Sequence, residues 1–350
     1  MDSRKVLVAM SGGVDSSAAA LMLKASGFQC AGATMQLYKQ NSKDAEDARN
    51  VAQCLEMPFH IFDCAGEFDR WVIQDFVGCY ETGLTPNPCI QCNRHLKFGE
   101  FLRRALDMGF DCIATGHYAQ IRFDPHTGRW LLTKAEDKSK DQTYVLYCLT
   151  QEQLAHTLLP LGSITKTEAR EIAEKSGFLN ARKKDSQDIC FIPDGDYVDF
   201  IRKYTGKSYP QGNYLDLQGN VVGRHQGAIC YTLGQRKGLG IALGAPAYVC
   251  AKNMAENTVT VGPNEALFAA TLRANDWNWI LFTELTEPVR VTAKARYSQI
   301  EQPATVYPEA DGFARVVFDQ PQRALTPGQA VVLYQDEIVV GGGTIREVIQ

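Results

Sequence analysis

Two groups of residues in this 350-residue chain are spaced for chemistry. The first is Ser11-Gly12-Gly13-Val14-Asp15-Ser16-Ser17, set between the apolar run from Lys5 to Met10 and an Ala/Leu-rich stretch from Ala18 to Ala25. That order predicts a strand, a glycine turn and a helix start, which together make a phosphate seat. Glycine lets the backbone approach an anion, and the first helical amides point at it. Hydroxyls of Ser11, Ser16 and Ser17 add donors. Asp15 is out of place beside phosphate alone, but it fits if it faces a magnesium ion bridging a leaving pyrophosphate. The Gly-Lys-Ser/Thr ending of a Walker loop is absent, and so is the third glycine of a dinucleotide loop. A Ser/Gly turn that merely caps a helix is the plain alternative; the full seven-residue string in this setting favours ATP.

The second group is sulfur. Cys89 and Cys92 form a CxxC inside the Pro-constrained stretch Thr85–Arg94, and Cys190 stands far away, after the basic pair Lys183-Lys184. Cys92 is expected just ahead of a helix, with Arg94, His95 and Lys97 nearby. Positive charge and a helix N-terminus both favour a thiolate, so a largely ionised Cys92 is the expectation. A structural zinc would need a fourth ligand. Two readings stay open. Cys92 and Cys190 form a reactive pair, or Cys89, Cys92 and Cys190 hold an iron–sulfur cluster with one iron open.

These residues need elements to hold them. Residues 1–120 alternate strand and helix, with strands expected at Gln29–Met35, Phe59–Cys64 and Asp111–Thr115, and helices at Asp44–Leu55, Glu67–Tyr80 and Phe98–Met108. That alternation predicts an α/β fold: a parallel sheet covered by helices, with ligands beyond the carboxyl ends of its strands. Ile121–Lys134 reads as a hairpin elaborating this domain. Thr165–Gly177 reads as a helix with Thr165 as N-cap, Glu168 in capping-box position and Gly177 as C-cap. Beyond residue 205 the helical period fades and short alternating runs take over. The expected division is a catalytic domain at 1–205, a small β-rich domain at 206–270 and an antiparallel barrel at 271–350.

Composition narrows the class. Hydrophobic content of 45%, a net charge of −4 and dispersed cysteines describe an ordinary globular protein in a reducing cytosol, so any RNA surface must be local. Cys30, Cys54, Cys64, Cys112 and Cys148 read as small buried hydrophobes. No stretch is long and apolar enough to span a membrane, and no targeting segment precedes the first strand. The basic, glycine-rich run Tyr231–Gly240 reads as a lid or RNA-contact loop.

The string at 11–17 resembles the PP-loop of the ATP pyrophosphatases. With TPNPCIQCN at 85–93, ATGHYA at 114–119, KDQTY at 140–144, DSQDICFIP at 185–193, YTLGQRKGLG at 231–240, ARYSQ at 295–299 and PGQAVVLY at 327–334, the chain resembles the tRNA-specific 2-thiouridylases over nearly its whole length. The resemblance implies a tRNA-uridine 2-sulfurtransferase that adenylates the C2 oxygen of a wobble uridine and replaces it with sulfur. Its implied substrates are tRNAs with Lys, Glu and Gln acceptors, and a cysteine desulfurase or another sulfur-donor protein supplies the sulfur. By the same resemblance, Cys190 carries a persulfide and Cys92 attacks it, releasing sulfide or leaving a transient Cys92–Cys190 disulfide. Ala9, Met10, Ser11, Gly12, Gly13, Val14, Asp15, Ser16, Met35 and Gly116 contact ATP. Asn87, Pro88 and Cys89 meet the target base. His117, Lys140, Asp141, Gln142, Arg296, Tyr297 and Gln329 meet tRNA. Many family members have an aspartate at the position of Cys89, and this departure raises the iron–sulfur reading.

Overall fold

The computed structural model describes residues 4–38, 42–176, 178 and 189–349. Its centre is a parallel sheet of five strands in the order Phe59–Asp63, Gln29–Gln36, Lys5–Ala9, Cys112–Ala114 and Thr157–Leu158. Lys5–Ala9 lies in the middle because Val6, Leu7 and Val8 are apolar on both faces, and all three are buried. The expected strands lie within a residue of where their sequence places them. The last was not foreseen, since two residues carry no periodic signal.

Helices Val14–Ala25 and Ser42–Cys54 pack against this sheet. A helical run at 65–81 and another at 88–107 cover the other side, each containing a π-helical stretch, Asp69–Ile73 and Cys92–Glu100. The second run starts ten residues earlier than its apolar period suggested. Pro88 opens it, in the first-turn position where a missing N–H costs nothing. The helix Lys166–Lys175 carries the expected Thr165/Glu168 capping box and ends at Ser176; the expected C-cap, Gly177, lies outside the described residues.

The middle sheet has four strands, Tyr248–Asn253, Thr258–Gly262, Gly212–Leu215 and Val221–His225. Six strands from Phe268–Trp279 to Ile338–Ile349 then close into a barrel, the first strand pairing with both Ala314–Arg323 and the last. One expectation is corrected here. The hairpin Gln120–Asp124/Arg129–Thr133 does not merely decorate the first domain. It extends the barrel sheet through Thr133 opposite Ile338. One apolar core accordingly runs from Leu7 through Phe101 to Val332 and Tyr334. No helix among the described residues is long and apolar enough to cross a membrane.

Candidate active site between the glycine loop and the cysteine helix

The glycine loop ends the central strand. Gly12 has φ +69°, a turn that glycine makes without strain, and Gly13 precedes the helix with no side chain capping it. A helix N-terminus in this position aims its first amides at an anion. Ser16 and Ser17 both donate to the Gly13 carbonyl, at 3.1 and 2.9 Å, and the Ser11 amide donates to Ser16 Oγ at 3.2 Å. The loop is thus braced by its own hydroxyls. Gly116, just past the neighbouring strand, sits so close that a Cβ there would fall 2.8 Å from the backbone of Asp15 and Ser16. The two strands flank the point where strand order reverses, which is where open sheets bind ligands. Met10 is buried beneath the loop, and Met35 is partly buried on the adjacent strand.

Asp15, expected to face a magnesium ion, is held by two protein side chains. Lys166 Nζ donates to both its carboxylate oxygens at 2.8 Å, and the Tyr118 hydroxyl donates to Oδ1 at 2.8 Å. Gln142 accepts from the Tyr118 amide at 2.8 Å, so KDQTY braces the phosphate loop from behind. Lys166 was not foreseen. Its side chain is 9% exposed, and it is the first residue of the Thr165-capped helix. The capping box located that helix, but nothing in the sequence tied it to a loop 151 residues away.

The cysteines occupy different surroundings. Cys89 is exposed in the first turn of its helix, and Cys92 is buried one turn further in. The expected thiolate is corrected. Burial pushes Cys92 up to about 12; Lys97 pulls the other way, and Cys190 and Cys89 add to the rise. Of the neighbours expected to activate it, Arg94 is spent on Asp276 at 2.6 Å, and burial and Arg94 hold His95 below its usual range, stacked 4.2 Å from Trp71. Cys190 is an exposed residue whose thiol is raised by partial desolvation and by Cys89, and lowered by Lys97 and by the amides of Cys190 and Phe191. Folding therefore brings Cys190, about a hundred positions away, within electrostatic reach of the CxxC thiols, and Lys97 bears on Cys92 and Cys190 alike. Phe191 fixes Cys190 there, its ring 5.2 to 5.6 Å from Phe68, Phe76 and Phe200. The basic pair Lys183-Lys184 lies outside the described residues.

All eleven cysteines are free thiols, and Cys54, expected to be buried, is exposed at a helix end. Among the described residues no three His, Cys, Asp or Glu side chains gather as metal ligands. Of the three cysteines considered for a cluster, Cys92 is a buried residue and Cys89 and Cys190 are exposed ones.

The remaining expected residues divide in two. Asp141 accepts from the Ala135 amide and the Thr143 hydroxyl, so it shapes its own turn. His117 is buried, shares Nδ1 with Thr115 at 2.7 Å, and is held neutral chiefly by burial. Gln329 donates to the carbonyls of Thr85 and Pro86 at 3.0 and 3.1 Å, clamping the loop before Asn87, Pro88 and Cys89. Tyr297 is 47% exposed and edge-on to Tyr144 at 5.9 Å; desolvation raises its phenol first, and Asp141 and then Cys89 add to the rise. Lys294 lies 6.0 Å from the centres of both rings.

Comparison with known proteins agrees with this arrangement. Residues 4–194 match the family model described as a tRNA methyl transferase HUP domain, 198–263 the tRNA methyl transferase PRC-barrel domain, and 269–345 the aminomethyltransferase beta-barrel domain. The chain is 50% identical to the tRNA-specific 2-thiouridylase MnmA of Moorella thermoacetica, over 98% of this chain and all of that one. It is 48% identical to the Acetivibrio thermocellus protein of that name, over 99% of this chain and all of the relative, and 46% identical to that of Clostridioides difficile, over 99% of each. A glycine phosphate loop, a cysteine helix and a barrel joined in one order, with identity at this level from end to end, place the chain in the tRNA-specific 2-thiouridylase MnmA family.

Proposed function

We propose that this protein makes 2-thiouridine in tRNA at the expense of ATP, in the cytoplasm. ATP, entering with its magnesium, lies with its phosphates on the amides of residues 11–17 and its adenosine along Met35 and Gly116. Lys166 releases one oxygen of Asp15 and takes up charge on the departing pyrophosphate. The C2 oxygen of the uridine attacks the α-phosphorus, pyrophosphate leaves, and the base carries AMP on that oxygen. Sulfur then adds at C2 and AMP departs with the oxygen, so the oxygen is lost as part of AMP.

The sulfur route proposed is through the two thiols. Cys190 accepts a sulfane sulfur from a donor protein and holds it as a persulfide. Cys92, as thiolate, attacks the inner sulfur. The outer sulfur leaves as sulfide toward C2, and a Cys92–Cys190 disulfide remains for an external thiol to reduce. Lys97, which bears on both thiols, is the group proposed to favour the anionic sulfur. Asn87, Pro88 and Cys89 would line the base, with Arg296, Tyr297, Lys140, Asp141, Gln142, His117 and Gln329 forming or supporting the tRNA surface. The observation that carries the reading is the meeting of Cys92, Cys190 and Lys97 in a chain half identical to thiouridylases.

The test is mass spectrometry of nucleosides from a tRNA with a wobble uridine after incubation with the protein, Mg·ATP and a persulfide donor. 2-Thiouridine should form with the wild type and vanish with Cys190→Ser. A product carrying nitrogen at that position, or undiminished product with Cys190→Ser, would refute the route.

A further inference from the structure

Arg323 has no task in the reading above. It ends the barrel strand Ala314–Arg323, half-buried. Its Nε donates to Asn264 Oδ1 at 2.9 Å, its Nη2 reaches the Gly234 carbonyl at 3.4 Å, and its guanidinium lies 5.1 Å over the Tyr248 ring. All three partners are neutral. Arg296 is held in the same way, its Nη2 donating to the carbonyls of Arg323, at 2.8 Å, and Ala324. Among the described residues neither guanidinium meets a carboxylate. Other arginines of the barrel do: Arg273 pairs with Glu309 and Glu347, and Arg290 with Asp319. Burial first, and then the charge of Arg323, hold Arg296 below its usual value. Two like charges in mutual reach, lacking a counter-charge and partly desolvated, are unfavourable until an anion joins them.

The backbone between them is strained. Ala324 has φ +50°, a left-handed conformation that costs a residue with a Cβ on the order of 1 kcal/mol or more. That turn delivers two carbonyls to Arg296. It also sets the Ala324 side chain against Gly234, where an added Cβ would meet it at 2.9 Å. Gly234 belongs to the glycine-rich loop that carries the exposed cations Arg236 and Lys237. Its amide donates to Val249 at 2.8 Å, which seats this end of the loop on the middle sheet.

We propose that Arg296 and Arg323 form one seat for a single phosphodiester of the RNA substrate, and that Arg323, through Gly234, ties this seat to the glycine-rich loop. The proposal rests on the tRNA-thiolation reading. A guanidinium presents paired donors to phosphate oxygens, and two of them supply the charge that the neutral surroundings leave uncompensated. Docking of RNA there would draw the loop, with Arg236 and Lys237, onto the same strand of substrate.

The test measures binding of a labelled tRNA transcript to the full-length enzyme between about 50 and 200 mM salt. Asn264→Asp places a carboxylate on Arg323 Nε and neutralises the seat while leaving the arginine in place; Arg323→Gln removes the charge outright. Both should bind tRNA roughly tenfold more weakly, with the slope of log affinity against log salt reduced by about 0.7–0.9, one phosphate contact. Arg323→Lys should keep the slope. The thermal shift produced by Mg·ATP should stay at the wild-type value in all three. Wild-type tRNA affinity and slope in Asn264→Asp would overturn the seat, because a merely structural arginine gains from a new ion pair. A loss confined to ATP binding would overturn it too. A wild-type enzyme that binds no tRNA would instead overturn the thiolation reading, and the seat with it.

Discussion

The nucleotide end and the sulfur end of this site are built to different degrees of readiness. At the glycine loop each named group has its partner. Serine hydroxyls brace the turn, Tyr118 and Lys166 hold Asp15, and Gln142 holds Tyr118. At the cysteine helix the thiol expected to react is the one that burial keeps protonated, up to about 12. One end is preorganised electrostatically; the other holds its nucleophile dormant. A thiolate ready at all times would meet oxidants and stray electrophiles, whereas a buried thiol reacts only once something opens its surroundings or adds positive charge. In the proposed reaction this difference would give adenylation a rigid frame and sulfur transfer a frame that RNA completes.

The sharpest way to break this comparison is Cys92→Ser. It should lower 2-thiouridine formation by about a thousandfold or more while tRNA-dependent pyrophosphate release stays within a few-fold of wild type. Equal loss of both would show the two ends to be one unit. Next in size is Lys166→Met, expected to slow pyrophosphate release by on the order of a hundredfold through lost charge at the phosphates. Alkylation of exposed Cys89, mapped by mass spectrometry, should be unchanged, and Cys92 should label far more slowly than Cys89 in both proteins. Phe191→Ala should cost about 3–5 kcal/mol of stability in chemical unfolding, since it empties a cluster of four rings. In protein that remains folded, thiolation should suffer more than pyrophosphate release, because Cys190 loses its anchor.

The smallest effect concerns pH. Burial, with help from Lys97, holds His117 well below the ordinary histidine value, so the unfolded chain binds more protons than the folded one below about pH 6.5. Stability should therefore rise with pH up to that value and then level. His117→Gln should flatten the rise by about 1 kcal/mol or more per pH unit, read as the melting temperature between about pH 5 and 7. An unchanged slope would show that His117 charges in the folded state.

Local signals explain what the sequence made legible. The run from Lys5 to Ala25 announces strand, turn and helix because apolar period, glycine and Ala-rich helix former agree, and the Thr165/Glu168 box marked its helix start correctly. The barrel strands followed from alternation. What stayed hidden depends on tertiary position. Lys166 reads as an exposed first-turn lysine until the fold sets it on Asp15. Cys92 reads as an activated thiol until the helix proves to begin at Pro88 and turns it inward. Gln329 was expected on the RNA, and its amide also donates to Thr85 and Pro86, a structural use that no local pattern announces.

That clamp suspends one part of the site from another domain's fold. The Thr85 amide also donates to the Pro327 carbonyl, at 3.0 Å, so the loop leading to Asn87, Pro88 and Cys89 hangs by its backbone from residues of the barrel. The glycine loop carries its own braces and does not share this dependence. A disturbance of the barrel at residues 327–329 would therefore slacken the segment before Cys89 while the phosphate seat kept its shape.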